Sequence, residues 1–189
     1  MIVPLQTPRL LLRPLELADA EAVQKLFPHW EIVKYLAPRV PWPYPDDGAL
    51  TYYQDDALPA MARGDEWHWS LRLKSDPSQL IGVVSLMQGE NGNRGFWLGL
   101  PWQRQGLMSE AVEAVTDYWF NELGFPLLRV PKVVANTASR RISEKGGMRL
   151  VAAEERDCVS GRFLTEVWEI TADEWRAHRD QQATQLKRP

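Results

Sequence analysis

The chain carries a single cysteine, Cys158, and three histidines, His29, His68 and His178, in 189 residues. One cysteine excludes a disulfide framework and a cysteine-rich zinc site, and three scattered histidines offer no ligand spacing for a metal, so none is expected. No apolar run reaches the length of a membrane span, and no membrane partner is expected. The opening MIVPLQTPRL lacks the charged and apolar regions of a secretory leader, which makes the cytoplasm the expected compartment. Positive charge is not in excess. The 22 Lys and Arg against 25 Asp and Glu leave a net charge of −3, which argues against a surface built for nucleic-acid phosphate. Internal repeats and low-complexity linkers are also missing.

What remains is ordinary globular composition, 44% hydrophobic and 25% charged, in a length that suits one domain with its own core. Residues 1–189 are therefore read as a single domain. Nine tryptophans are the one compositional oddity; most belong in the core, and a few are free to line a pocket.

Periodicity orders the elements. RLLLRPL (9–15) reads as a first strand ending near Pro14. Asp19 is a candidate N-cap for a helix in which Ala22, Val23, Leu26 and Phe27 recur at helical spacing. The four prolines of APRVPWPYPD (37–46) predict a loop, and a second helix is expected over about 46–63, stopping at Gly64. WHWSLRL (67–73) and LIGVVSLM (80–87) predict strands, and Glu90-Asn91-Gly92-Asn93 a turn into a fourth. Met108, Ala111, Val112, Val115, Trp119 and Leu123 then hold helical register up to Gly124. A strand over 127–135 disturbed by Pro131, a short helix over 137–145, a hairpin of 148–155 with 163–170, and a helix capped by Thr171 complete the order. The polar tail 180–189 extends that helix or frays. This succession of elements predicts an α/β (α+β) domain with a mixed sheet.

LPWQRQGLMSEAV (100–112) joins the expected fourth strand to its helix without an ordinary cap. Unpaired N–H groups at such a helix start, with the helix dipole, suit an anion such as phosphate. Gly106 permits close backbone approach and Arg104 adds a charge. The Walker and three-glycine dinucleotide patterns are absent, so spacing alone leaves a phosphate cradle and a plain turn equally open. Asn136 and Ser139, three apart at the next strand–helix junction, read first as a helix cap and its first turn.

Several stretches together carry a resemblance. Gln103-Arg104-Gln105-Gly106-Leu107-Met108 resembles the Gln/Arg-x-x-Gly-x-Gly/Ala signature of the GNAT N-acetyltransferase superfamily, with Met108 in place of the last small residue. TPRLLLRPLELADAEAV, GFWLGLPWQRQG and ANTASRRISEKGGMRLV are similar to the branch containing ribosomal-protein N-terminal acetyltransferases. Together with the C-terminal hairpin and TADEW, the likeness covers nearly the whole chain. It implies a mostly antiparallel central sheet of about seven strands, flanked by about four helices plus a C-terminal helix. It also implies an acetyl-coenzyme A-dependent transfer to a primary amine, a small molecule or a peptide or protein N-terminus, by a monomer or homodimer.

By the same resemblance, Trp97, Leu98, Gly99 and Leu100 are expected to hold the pantetheine arm. Gln103, Arg104, Gln105, Gly106, Leu107, Met108 and Ser109 are expected to hold the pyrophosphate, with Met108 crowding it. Asn136 is the expected pantetheine-binding asparagine and Ser139 the candidate general acid. Asp157, four residues before Gly161, ranks first as base; Glu90 and His68 follow, because Asn93 stands where many relatives carry Glu. Trp30, Trp42, Tyr44 and His68 are the candidates for the acceptor pocket. Asn93 and Met108 also keep open a non-catalytic member that binds acyl-coenzyme A or a partner.

Overall fold

The computed structural model describes residues 2–186; Met1 and the last three residues of the expected tail lie outside the described residues. Two antiparallel sheets form the middle layer. The larger runs β1 (Leu5–Gln6), β2 (Leu10–Pro14), β3 (Glu66–Leu73), β4 (Asp76–Met87) and β5 (Arg94–Leu98), in that order. The smaller has β8 (Gly161–Thr171) between β6 (Leu127–Val133) and β7 (Arg149–Cys158). The strands therefore number eight in two sheets, where one sheet of about seven was expected. The added strand is the two-residue β1, which pairs Leu5 with Leu12 and Gln6 with Leu11.

Alternation sorts the side chains of the larger sheet onto two cores. Leu10, Leu12, Trp67, Trp69, Leu71 and Leu98 face α5 (Leu107–Asp117). Burying a side chain such as Trp69 or Leu71, each 0% exposed, contributes about 1.5–3 kcal/mol. The other face meets α1 (Ala20–Leu26), α2 (Trp30–Val33), α3 (Gly48–Tyr52) and α4 (Leu58–Arg63) through Val23, Phe27, Val33, Tyr53 and Ala57. A wide π turn, Tyr53–Ala57, joins α3 to α4, so 48–63 is the expected second helix, ended by Gly64 at φ 78°. Asp19 precedes α1 but makes no side-chain cap; its carboxylate pairs with Arg72 on β3. α6 (Thr137–Lys145) follows β6, and α7 (Ala172–Leu186) follows β8. No described helix is long and apolar enough to cross a membrane.

The two sheets meet between the parallel neighbours β5 and β6 at one point. Asn93 N–H donates to Arg129 O at 2.8 Å, Arg129 N–H donates to Asn93 Oδ1 at 2.8 Å, and Asn93 Nδ2 donates to Gly89 O at 2.7 Å and Met87 O at 3.2 Å. Beyond this tether no ladder forms, for a reason written in the strands. On β5, Asn93 and Gly99 bond to β4, so Phe96 and Leu98 direct their backbone groups away from it. At the ends of β6, Val134 N–H donates to Leu164 O on β8 and Pro126 O accepts from Ala172 N–H just after β8, so residues 129, 131 and 133 face β5. Residue 131 is proline and has no N–H to give. A slot therefore opens from the tether toward the C-terminal ends of β5 and β6, where α5 and α6 begin.

Candidate active site

The slot's mouth is the segment between β5 and α5. Leu100–Trp102 makes a single tight turn, and Trp102 N–H donates to Gly99 O at 3.0 Å. A Cβ on Gly99 would lie 2.8 Å from the Trp102 ring, so only glycine lets that ring fold back. Arg104 (φ 61°) and Gly106 (φ 76°) are both left-handed, a conformation that costs a non-glycine residue about 1–2 kcal/mol. No side chain caps α5, and Glu110 N–H makes the first internal bond, to Gly106 O at 3.1 Å. The N–H groups of Leu107, Met108 and Ser109 are thereby left to face outward at the positive end of the helix.

Side chains around this loop brace it. Gln103 Nε2 donates to Leu98 O at 2.8 Å, and Gln105 Nε2 to Pro101 O at 2.9 Å. Arg9 Nη1 donates to Gln105 O at 2.9 Å while its Nε donates to Glu110 Oε2 at 2.7 Å. Thr7 Oγ1 donates to the same carboxylate. Burial alone would raise the Glu110 carboxyl, but the bonds from Thr7 and Arg9 outweigh it and hold it below the usual range. Met108 is 7% exposed and packs into the core, so its side chain turns away from the mouth and the expected crowding does not arise.

Along the slot, the four residues expected to line it separate into different roles. Leu98 aims its N–H into the gap. Trp97 and Gly99 ladder with β4, and Leu100 opens the turn. Phe96, missed in the sequence reading, joins Leu98 as a gap-facing residue; counting alternate residues back from Gly99 would have found it. Across the mouth, Asn136 caps α6, its Oδ1 accepting from Ser139 N–H at 3.3 Å, and both residues stay part-exposed. Asn136 N–H donates to Val133 O at 2.9 Å, which leaves the Val133 N–H facing β5. Arg140 is fixed on Glu166 at 2.7 and 3.2 Å.

The opposite face of the sheet carries an aromatic cluster. Trp97 and Tyr44 both pack edge-on to Phe27, at 5.3 and 5.2 Å between ring centres. Burial pushes the Tyr44 phenol up to about 12, so it stays neutral at ordinary pH. Trp30 and Trp42 lie 5.5 Å apart and are 41% and 42% exposed. The β7–β8 hairpin tip is fastened to the segment after α2: Val159 N–H donates to Leu36 O at 3.0 Å, and Ser160 Oγ to Lys34 O at 2.6 Å. Asp157 is exposed on this hairpin, opposite Arg162. His68 is 3% exposed, its Nε2 bonded to Glu66 at 2.6 Å, and that bond holds the Glu66 carboxyl below its usual range. Glu90 lines a separate hollow of about 490 Å³ at the tethered end, with Trp119, Phe125 and Arg129. Loop, slot and Asn136/Ser139 therefore come together; Glu90 stands apart from them.

An acetyltransferase (GNAT) domain model matches residues 9–149. A protein named probable N-acetyltransferase YjcK from Bacillus subtilis is 33% identical over 103 residues, covering 52% of this chain and 54% of that protein. The chain thus spans about half the length of this relative. Among solved structures, the ribosomal L7/L12 α-N-protein acetyltransferase RimL, in complex with coenzyme A, superposes with a TM-score of 0.77 at 17% identity over 91% of this chain and 99% of that one. The ribosomal-protein-S5-alanine acetyltransferase from Vibrio fischeri gives a TM-score of 0.77 at 14% identity, covering 92% and 98%. At such identities the two structures speak for the fold.

Proposed function

Because the chain belongs to the GNAT acetyltransferase family, we propose that it transfers an acetyl group from acetyl-coenzyme A to a primary amine, by direct attack, in the cytoplasm. The observation that carries this reading is the open slot between β5 and β6, whose unpaired N–H groups lead to the uncapped start of α5. An extended arm with amides fits such a gap in the manner of an added strand, and a pyrophosphate fits the helix start. When bound, acetyl-coenzyme A supplies the thioester, and the new N–C bond forms as the C–S bond breaks. The N–H groups of Phe96 and Leu98 hold the arm, and those of Leu107, Met108 and Ser109 hold the pyrophosphate, with Arg104 beside them. Gln103 and Gln105 shape the loop from within.

Ser139 is the proton donor to the departing thiolate, since a hydroxyl can give a hydrogen bond without being ionised. Asp157 is the better of the two carboxylate candidates for receiving the amine proton. It rides on the hairpin whose tip bonds to the segment after α2, whereas Glu90 sits on the turn at the tethered end. Trp30, Trp42 and Tyr44 line the acceptor side. The apolar walls, and the ribosomal-protein N-termini that the two structural neighbours are named for, favour a peptide α-amine over a small polar one. His68 serves this side as the buried partner of Glu66.

Calorimetry with acetyl-coenzyme A and thiol release with a panel of peptides and amines test the reading. Ser139→Ala is expected to lower turnover by roughly 10²-fold or more with donor affinity unchanged. No binding heat at about 1 mM donor, the upper end of ordinary KM values, would sink the proposal. Tight binding with no turnover on any acceptor would instead reassign the chain to a non-catalytic acyl-coenzyme A binder.

A further inference from the structure

One amine crosses the slot. Phe96 follows Asn93 by three residues on β5, and Lys132 follows Arg129 by three on β6, so the two stand level, about 10 Å beyond the tether. The Lys132 backbone belongs to the ladder with β8, opposite Glu166. Its side chain leaves the sheet on the α5 side, where Phe96 packs, and ends with Nζ 4.5 Å from the centre of that ring. A β6 amine resting on a β5 ring spans the gap between two strands that share no ladder.

Lys132 is 6% exposed, and among the described residues its Nζ makes no hydrogen bond or ion pair. The carboxylates on the surrounding elements are committed elsewhere. Glu166 is held by Arg140 of α6 at 2.7 Å and by Trp168 Nε1 at 3.0 Å, and Glu113 of α5 by Arg179 at 2.9 Å. Burial, helped by the charge of Arg94, lowers the Lys132 ammonium to about 7. Much of the amine is then neutral at ordinary pH, the form in which a desolvated lysine acts as a nucleophile. With the pyrophosphate at the start of α5, the donor's arm runs inward past Leu98 toward the level of Phe96. Trp97 packs on the opposite face of the sheet, the acceptor side, so Lys132 and an incoming amine stand on opposite sides of the thioester.

We propose that Lys132 is a self-modification site, acetylated by the acetyl thioester bound in the slot of its own chain. The inference rests on the donor reading above. Nζ attacks the thioester carbonyl, the N–C bond forms as the C–S bond breaks, and the proton shed by nitrogen ends on the coenzyme A thiol. The product is an amide, which is no acyl donor, so the group stays on Lys132 and does not pass to an acceptor. Burial bars other protein molecules from the amine, which makes the reaction intramolecular.

The test incubates the full chain with acetyl-coenzyme A and no acceptor, and maps acetylation by peptide mass spectrometry. One acetyl group at Lys132 is expected, at a first-order rate that does not change when the protein is diluted. Excess coenzyme A suppresses it, and Lys132→Arg gains no acetyl group over the same interval. Labelling levels off above about pH 8, whereas exposed lysines such as Lys25 and Lys74 keep gaining toward about pH 10. Calorimetry on the same samples separates two failures. A parent chain that binds no coenzyme A species fails the donor reading, and the modification site falls with it. A parent chain that binds acetyl-coenzyme A while Lys132 stays free, or is labelled no faster than Lys25, overturns the proposal alone.

Discussion

Replacing Asn93 by Ala tests the tether that separates slot from ladder. The Asn93 side chain is 5% exposed and makes three hydrogen bonds: from Arg129 N–H at 2.8 Å, to Gly89 O at 2.7 Å and to Met87 O at 3.2 Å. At roughly 0.5–1.5 kcal/mol each, with a buried N–H left unsatisfied, the expected loss is about 2–4 kcal/mol. For a domain of this size that lowers the unfolding midpoint by roughly 4–16 °C. Urea unfolding read by tryptophan fluorescence measures the loss directly. Asn93→Asp sharpens the test, because a carboxylate keeps the acceptor for Arg129 N–H but cannot donate to two carbonyls. Burial and those carbonyls raise its folded-state pKa above the unfolded value of about 4. Its stability is then retained below about pH 4 and lost as pH rises through the raised value, so the variant is weaker at pH 8 than at pH 5 relative to the parent. A loss under about 0.5 kcal/mol in Asn93→Ala, or an Asp variant as stable as the parent at pH 8, refutes the tether.

Two further outcomes follow from the loop. Glu110→Gln is expected to lose about 1–2 kcal/mol at pH 7, since it weakens charge-assisted bonds from Arg9 and Thr7. Because the Glu110 carboxyl is held below its usual range, its contribution is present above the unfolded pKa and lost as pH falls through the folded one; the gap between parent and variant closes in acid. Unfolding curves at pH 7 and pH 3 would contradict this if the gap stayed constant. Gly106→Val places a β-branched residue at φ 76° with its Cβ 3.4 Å from Arg9 Nη2, and is expected to weaken coenzyme A binding about tenfold by calorimetry. Unchanged affinity would remove Gly106 from the pyrophosphate loop.

Much of the fold was legible where local chemistry decides structure. The helix over 137–145 appears at those bounds, and Gly64 and Gly124 end their helical segments in the left-handed region that glycine favours. What stayed hidden depends on partners remote in sequence. β1 has only two residues and exists by its register with β2. Asp19 looked like a cap, yet its partner is Arg72, 53 residues away. Pro131 was visible as a disturbance, but its meaning needs the knowledge that residue 131 faces β5 rather than β8. The site divides in the same way. The glycine-bearing loop could be recognised from its order of residues, whereas the inward turn of Met108 and the tethering role of Asn93 follow from which way each strand or helix face points.

The contact between the hairpin tip and the segment after α2 has a consequence for how the chain is made. Ser160 bonds to Lys34 across 126 residues. At ordinary rates of elongation a ribosome needs roughly 6–25 s to cover that distance. Throughout that interval the segment after α2 lacks the hairpin that later bonds to it. The carbonyls of Lys34 and Leu36 thus wait on the nascent chain for donors that only the last hairpin brings.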